Sequence, residues 1–84
     1  MTKLTDIAIK KSTVESSLAN HPLVDAINTK NESHYVVNVV DEKEGQTALL
    51  NIYFKKSGKV SFLAQGQHPD IAVALAMQIV ESVK

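Results

Sequence analysis

The chain has 84 residues, no cysteine and no arginine, and its nine lysines balance nine acidic residues. That length fits a single domain, here 1–84, with a limited core. The lack of cysteine excludes a disulfide framework and a thiolate zinc site. A neutral, arginine-free surface excludes a strongly basic nucleic-acid binder, so any phosphate contact needs a local lysine patch. No apolar run approaches the roughly 20 residues of a membrane span. The first residues carry no signal-peptide core, so a cytoplasmic protein without membrane contact is expected.

In chain order, residues 4–11 (LTDIAIKK) alternate, with Ile7 and Ile9 on one face and Asp6, Ala8 and Lys10 on the other. This predicts a short strand, with a helical start as the competing reading. Ser12-Thr13-Val14-Glu15 fits a capping box, Ser12 as N-cap and Glu15 three residues on. The helix that follows should turn Val14 and Leu18 inward and break at His21-Pro22. Pro22 then suits the first position of a second helical turn with Leu23, Val24 and Ile27. Residues 28–33 read as a polar loop.

Three strands are predicted next, over 34–40, 47–55 and 59–65, separated by an acidic turn (41–45) and by Lys56-Ser57-Gly58. Gly58 should supply a positive φ at that turn. Pro69 opens the last helix, which should run to about 83, with Asp70 in its first turn. The fold class is therefore α+β, ordered β-α-β-β-β-α, a curved antiparallel sheet with helices on one face.

Alternation sorts the strand residues into two sets. Tyr35, Val37, Val39, Ala48, Leu50, Ile52, Phe54, Val60, Phe62 and Ala64 are nearly all apolar and belong under the helices. The opposite set is mixed: Val36, Asn38, Val40, Leu49, Asn51, Tyr53, Ser61, Leu63 and Gln65. Such a face is either a mildly apolar surface or an interaction site. In the last helix, Ile71, Leu75 and Ile79 form the core stripe. Val73, Ala76, Met77 and Val80 lie off it, covered by the first helix, by another subunit or by a neighbouring domain; Val73, Met77 and Val80 are the candidate interface.

"TALLNIYFKKSGKVSFLAQGQ" followed by an apolar helix resembles one repeat of the TATA-binding protein family, through Thr47-Ala48-Leu49, Phe54, Ser57-Gly58-Lys59-Val60 and Gly66. The resemblance covers roughly residues 47–83. The spacing from Thr-Ala-Leu to Phe54 is longer here, and arginines and a second repeat are missing. Phe54 falls on the core face, so the family's DNA-wedging phenylalanine is not carried over. The hairpin 57–66 is also similar to that of the N-terminal module of ribonuclease HIII. His34-Tyr35-Val36-Val37 and Asn51-Ile52-Tyr53-Phe54 are similar to strands of the N-terminal part of the ribonuclease LS toxin. These likenesses imply a TATA-binding-like half-domain. They also imply a non-catalytic module for substrate handling or assembly, at the front of a larger nucleic-acid-processing protein or toxin.

No catalytic motif is present. His21, His34 and His68 lack a second ligand at i+3 or i+4, so no metal site is predicted. No cofactor fingerprint occurs. Asp41-Glu42-Lys43-Glu44 reads as a solvated turn rather than a catalytic cluster.

Two functions remain open. One is a binding module using the open face, with nucleic acid the candidate ligand and Asn38, Leu49, Asn51, Tyr53, Lys55, Lys56, Lys59 and Leu63 the candidate contacts. The other is an assembly domain that forms a homodimer or docks on a neighbouring protein domain, through the last helix or the open face. An enzyme is the third reading. The lysines of the 55–59 hairpin either touch phosphate or only keep an exposed turn soluble and unaggregated.

Overall fold

Runs dense in β-branched residues, or alternating between an apolar set and a mixed set, form the middle of the molecule. The structure, a computed structural model, describes residues 2–82. It contains β1 (Thr2–Ala8), α1 (Lys11–Leu18), β2 (Val24–Asn31), β3 (His34–Asp41), β4 (Gln46–Phe54), β5 (Lys59–Gln65) and α2 (Pro69–Glu81). The five strands form one antiparallel sheet in the order β1-β5-β4-β3-β2, not closed on itself. The fold is α+β.

Register puts the apolar sets in line. Val37 opposes Leu50 and Leu50 opposes Ala64; Tyr35 opposes Ile52 and Ile52 opposes Phe62. These side chains are buried with Val14 and Leu18 of α1 and with Ile71, Ala72, Leu75, Ala76 and Ile79 of α2. All belong to one core, so both helices lie on one face. Fully burying a side chain such as Phe62 contributes roughly 1.5–3 kcal/mol, and Leu18, Leu50, Ile52, Leu75 and Ile79 are as deeply buried.

The structure corrects several expectations. Residues 24–31, expected as a helical turn and then a loop, form the edge strand β2 paired with β3. The element order is thus β-α-β-β-β-β-α. Only Val24 of β2 is even half-buried, so no burial alternation marked the strand. Pairing with β3 is what satisfies its backbone. Pro22 sits in the turn before β2.

The first strand ends at Ala8 instead of residue 11. Between Leu4 and Ile7 it carries a bulge, so that Thr5 and Asp6 oppose Ser61 alone. Asp6 adopts φ 56° there, and its N–H donates to Ser61 Oγ at 3.3 Å. The bulge returns Leu4, Ile7 and Ile9 to the core side.

Helix α1 begins after Lys10, and no side chain caps it. Glu15 accepts a 2.7 Å hydrogen bond from the Tyr35 hydroxyl instead of closing a capping box. The helix ends at Leu18, ahead of Pro22, where Asn20 takes φ 61°, a conformation Asn tolerates past a helix end. Helix α2 runs to Glu81; residue 83 lies outside the described residues. Ala76, expected off the core stripe, is fully buried.

Two glycines show different constraints. Gly58 takes φ +85° as expected, with its N–H donating to Lys55 O at 3.0 Å, and a Cβ there would meet nothing. Gly66 takes φ +105°, and a Cβ would stand 3.1 Å from Ala48 Cα. Gly66→Ala should therefore cost about 1–3 kcal/mol, and Gly58→Ala about 1 kcal/mol. Urea midpoints of the two variants check this ranking.

Candidate functional site

The sheet face opposite the helices carries the mixed set, and neither helix covers it. Its centre is a hydrogen-bonded chain across three strands. His34 Nε2 lies 3.0 Å from Asn51 Oδ1, and Asn51 Nδ2 donates to Gln65 Oε1 at 2.8 Å. The Asn51 carbonyl can only accept, so the His34 proton sits on Nε2. The residues occupy diagonal positions on β3, β4 and β5. Asn51 is 8% exposed and Ser61 3%, so both form the floor of this face. No buried side-chain N or O among the described residues lacks a partner.

Around that floor stand larger side chains. Leu49 is 39% exposed and Tyr53 36%. The Tyr53 ring stacks on His34 with centroids 4.5 Å apart and planes within 14°. Leu63 and Gln65 are half-buried and Asn38 is exposed.

Two shallow hollows flank the floor. One, of about 360 Å³, is lined by Lys3, Tyr53, Lys55, Ser61 and Leu63. The other, of about 430 Å³, lies toward the far end, with Asp25, Asn38, Thr47, Leu49, Gly66 and Gln67 among its lining residues. The first is mainly apolar with two cations at its rim. The second offers amides, a hydroxyl and a carboxylate.

Charge is divided along the strands. Lys55, Lys56 and Lys59 sit at the β4–β5 turn, with Lys3 nearby on β1. Asp41, Glu42 and Glu44 sit at the β3–β4 turn, the opposite end of β4. Asp6 interrupts the basic end: Lys55 Nζ meets Asp6 Oδ1 at 2.7 Å, both half-exposed or more. The hydrogen bond from Lys55 and then its charge hold the Asp6 carboxyl below the usual range, with Lys59 and Lys3 adding to the effect. Lys55 is therefore partly neutralised in the unbound protein.

The candidate residues thus separate. Tyr53, Lys55 and Leu63 converge on one hollow, while Asn38 and Leu49 line the other. Asn51 is committed on both sides of its amide and supports the surface. Lys56 and Lys59 are exposed at the rim. Val73, Met77 and Val80 lie on the helical side, away from this face. Val73 and Val80 pack against the core, and Met77 is 51% exposed.

Lys3, His34 and Gln65 were not among the candidates. Lys3 joins the hollow only because β1 pairs with β5, opposing Lys3 to Leu63. Nothing local in the sequence carries that long-range pairing.

Phe54 lies on the helical side, edge-on to Tyr35 with centroids 4.9 Å apart. Lys11 Nζ stands 5.3 Å and 5.2 Å from the two ring centres. The Glu15 carboxylate, and then burial, push the Tyr35 phenol above its usual range. This cluster ties α1 to the sheet.

Among the described residues, no group of three or more His, Cys, Asp or Glu is placed to hold a metal ion. No helix there is long and apolar enough to cross a membrane. No protein-family model, curated protein or solved structure matches the chain.

Two expectations follow from this geometry. Asn51→Ala should cost about 1–3 kcal/mol, and NMR should show the His34 and Tyr53 ring signals moving together. The Asp6 pKa is lowered in the folded state, so its stabilisation is present above the unfolded carboxylate value of about 3.9 and lost as pH falls through the folded value. In urea titrations at stepped pH, Asp6→Asn should flatten this acid limb: the variant should lie below the wild type at neutral pH and converge with it as pH falls through the folded value.

Proposed function

We propose that this chain is a non-enzymatic binding module whose uncovered sheet face takes a nucleic-acid strand. The carrying observation is the hollow in which the Tyr53 ring, Leu63 and the stems of Lys3 and Lys55 converge. An exposed aromatic ring offers a base a stacking partner, and the lysines offer its phosphates cations. With no arginine, the face lacks bidentate readers of guanine, so binding should be sequence-tolerant and strongly salt-dependent.

The resemblance of residues 47–83 to TATA-binding-like modules supports the same reading. On that basis the chain serves as a cytoplasmic front module of a larger nucleic-acid-processing protein or toxin.

Assembly through α2 is the second reading, favoured by the exposure of Met77 on that helix. Amide-resolved NMR titration with short DNA, RNA and hybrid oligomers at low salt separates the two. The nucleic-acid reading expects shifts at Lys3, Tyr53, Lys55 and Leu63 that fade with salt. Tyr53→Ala should weaken binding by about 1–3 kcal/mol, and Lys3→Ala should lower the salt slope by about one. Silence at those amides with every oligomer refutes it. A concentration-dependent dimer broken by Met77→Lys would establish the second.

A further inference from the structure

Strand β2 is an edge of the sheet, and its outer side faces no other strand among the described residues. The direction of its backbone groups follows from β3. The Val40 N–H reaches Leu23 O at 2.9 Å, and β3 pairs with β4 without a register shift. Alternation along β3 therefore turns the backbone groups of Asn38 and Val36 toward β2 as well. Their partners are Ala26 and Asn28, which spend their N–H and C=O groups on β3. Ile27 and Thr29, between and beside them, turn theirs outward. Ile27 opposes Val37, so its side chain is on the helical face, yet it is 44% exposed.

The strand is also self-complementary. Register shifts fall between Val24 and Ala26 and between Thr29 and Asn31, leaving a regular stretch over 26–29. Asp25 stands at one end of that stretch and Lys30 at the other. Both are exposed, and neither makes an ion pair among the described residues. Charges on an edge normally repel other strands. Here one sign at each end makes an antiparallel copy of β2 the matching partner.

Symmetry then fixes the register. A two-fold axis perpendicular to the sheet keeps the helices of both copies on one side and requires opposed residues to share a face. Ile27 opposite its own copy meets that requirement. Ala26 then opposes the partner's Asn28, both on the open face, and Asp25 comes beside the partner's Lys30.

We propose that β2 is a self-pairing edge, joining two copies antiparallel about a two-fold axis at Ile27. The paired Ile27 residues exchange both backbone hydrogen bonds, and their side chains cover each other. Each Asp25 meets the partner's Lys30, twice per dimer because the contact is isologous. The two five-stranded sheets become one, and the uncovered faces of both copies lie on the same side.

Sedimentation and light scattering of the full chain, from micromolar to millimolar concentration at low salt, test this. A reversible dimer is expected. Ile27→Lys and Asp25→Lys should each weaken it by about tenfold. The double variant Asp25→Lys/Lys30→Asp should restore wild-type dimerisation to within about threefold, since the complementarity is preserved with signs exchanged. All these positions are exposed and outside the core, so the variants should keep the wild-type NMR fold signature. Amide exchange gives an independent readout: Ile27 and Thr29 should gain protection with concentration, while Ala26 and Asn28 should not. A chain that stays monomeric to millimolar concentration overturns the proposal. So does a dimer that neither single variant weakens, which would place the contact elsewhere.

Discussion

The packing of α2 across β4 and β5 is the contact on which the rest of the molecule depends. Ile71, Ala72, Leu75, Ala76 and Ile79 enter the same core as Leu50, Ile52, Phe62 and Ala64. Apolar burial is the main favourable term in folding, and a short chain has little surface to bury. Two helices of 8 and 13 residues cover one face of a five-stranded sheet and leave the other bare. The one-sided core therefore creates the uncovered face as a direct consequence.

That bare face is not left to solvent unaided. A sheet surface with scattered polar groups would be poorly ordered unless those groups held one another. The His34–Asn51–Gln65 chain supplies that order. It satisfies a nearly buried amide on both sides and fixes the His34 ring beneath the stack with Tyr53. Leu49, Tyr53 and Leu63 can then stand partly exposed on a rigid floor. Buried polar groups that are fully satisfied specify a structure, and partly satisfied ones destabilise it.

The edges follow a related logic. An open sheet has two, and each is interrupted by bulges: one in β1 at Thr5 and Asp6, two in β2. Bulges twist an edge and shorten the stretch that can pair indiscriminately. The β1 bulge also aims Asp6 at Lys55, tying the basic hairpin to the first strand. One lysine of that hairpin, Lys55, therefore pairs with β1 at its bulge.

Much of this was legible in the sequence. The alternation of an apolar and a mixed set in 47–55 and 59–65 and the β-branched run in 34–40 determined β3, β4 and β5 and their inward faces, and Gly58 marked the turn between β4 and β5. Spacing determined Val14 and Leu18 of α1 and Ile71, Leu75 and Ile79 of α2 as inward residues, but not the buried Ala72 and Ala76, and the same alternation separated Tyr53 from Phe54. These features are local, and a period of two or of 3.6 residues records them directly. The tertiary structure alone decided the rest. Strand β2 exists because β3 offers it a hydrogen-bonding edge, and its exposed residues carry no period to reveal it. Lys3 joins Tyr53 and Leu63 only through the β1–β5 pairing, with residues 9–58 lying between the two strands. Glu15 closes no capping box because the helix already starts at Lys11, and its carboxylate accepts from the Tyr35 hydroxyl that the sheet brings over. In each case the deciding partner is distant in sequence, and local pattern holds no record of a contact made by folding.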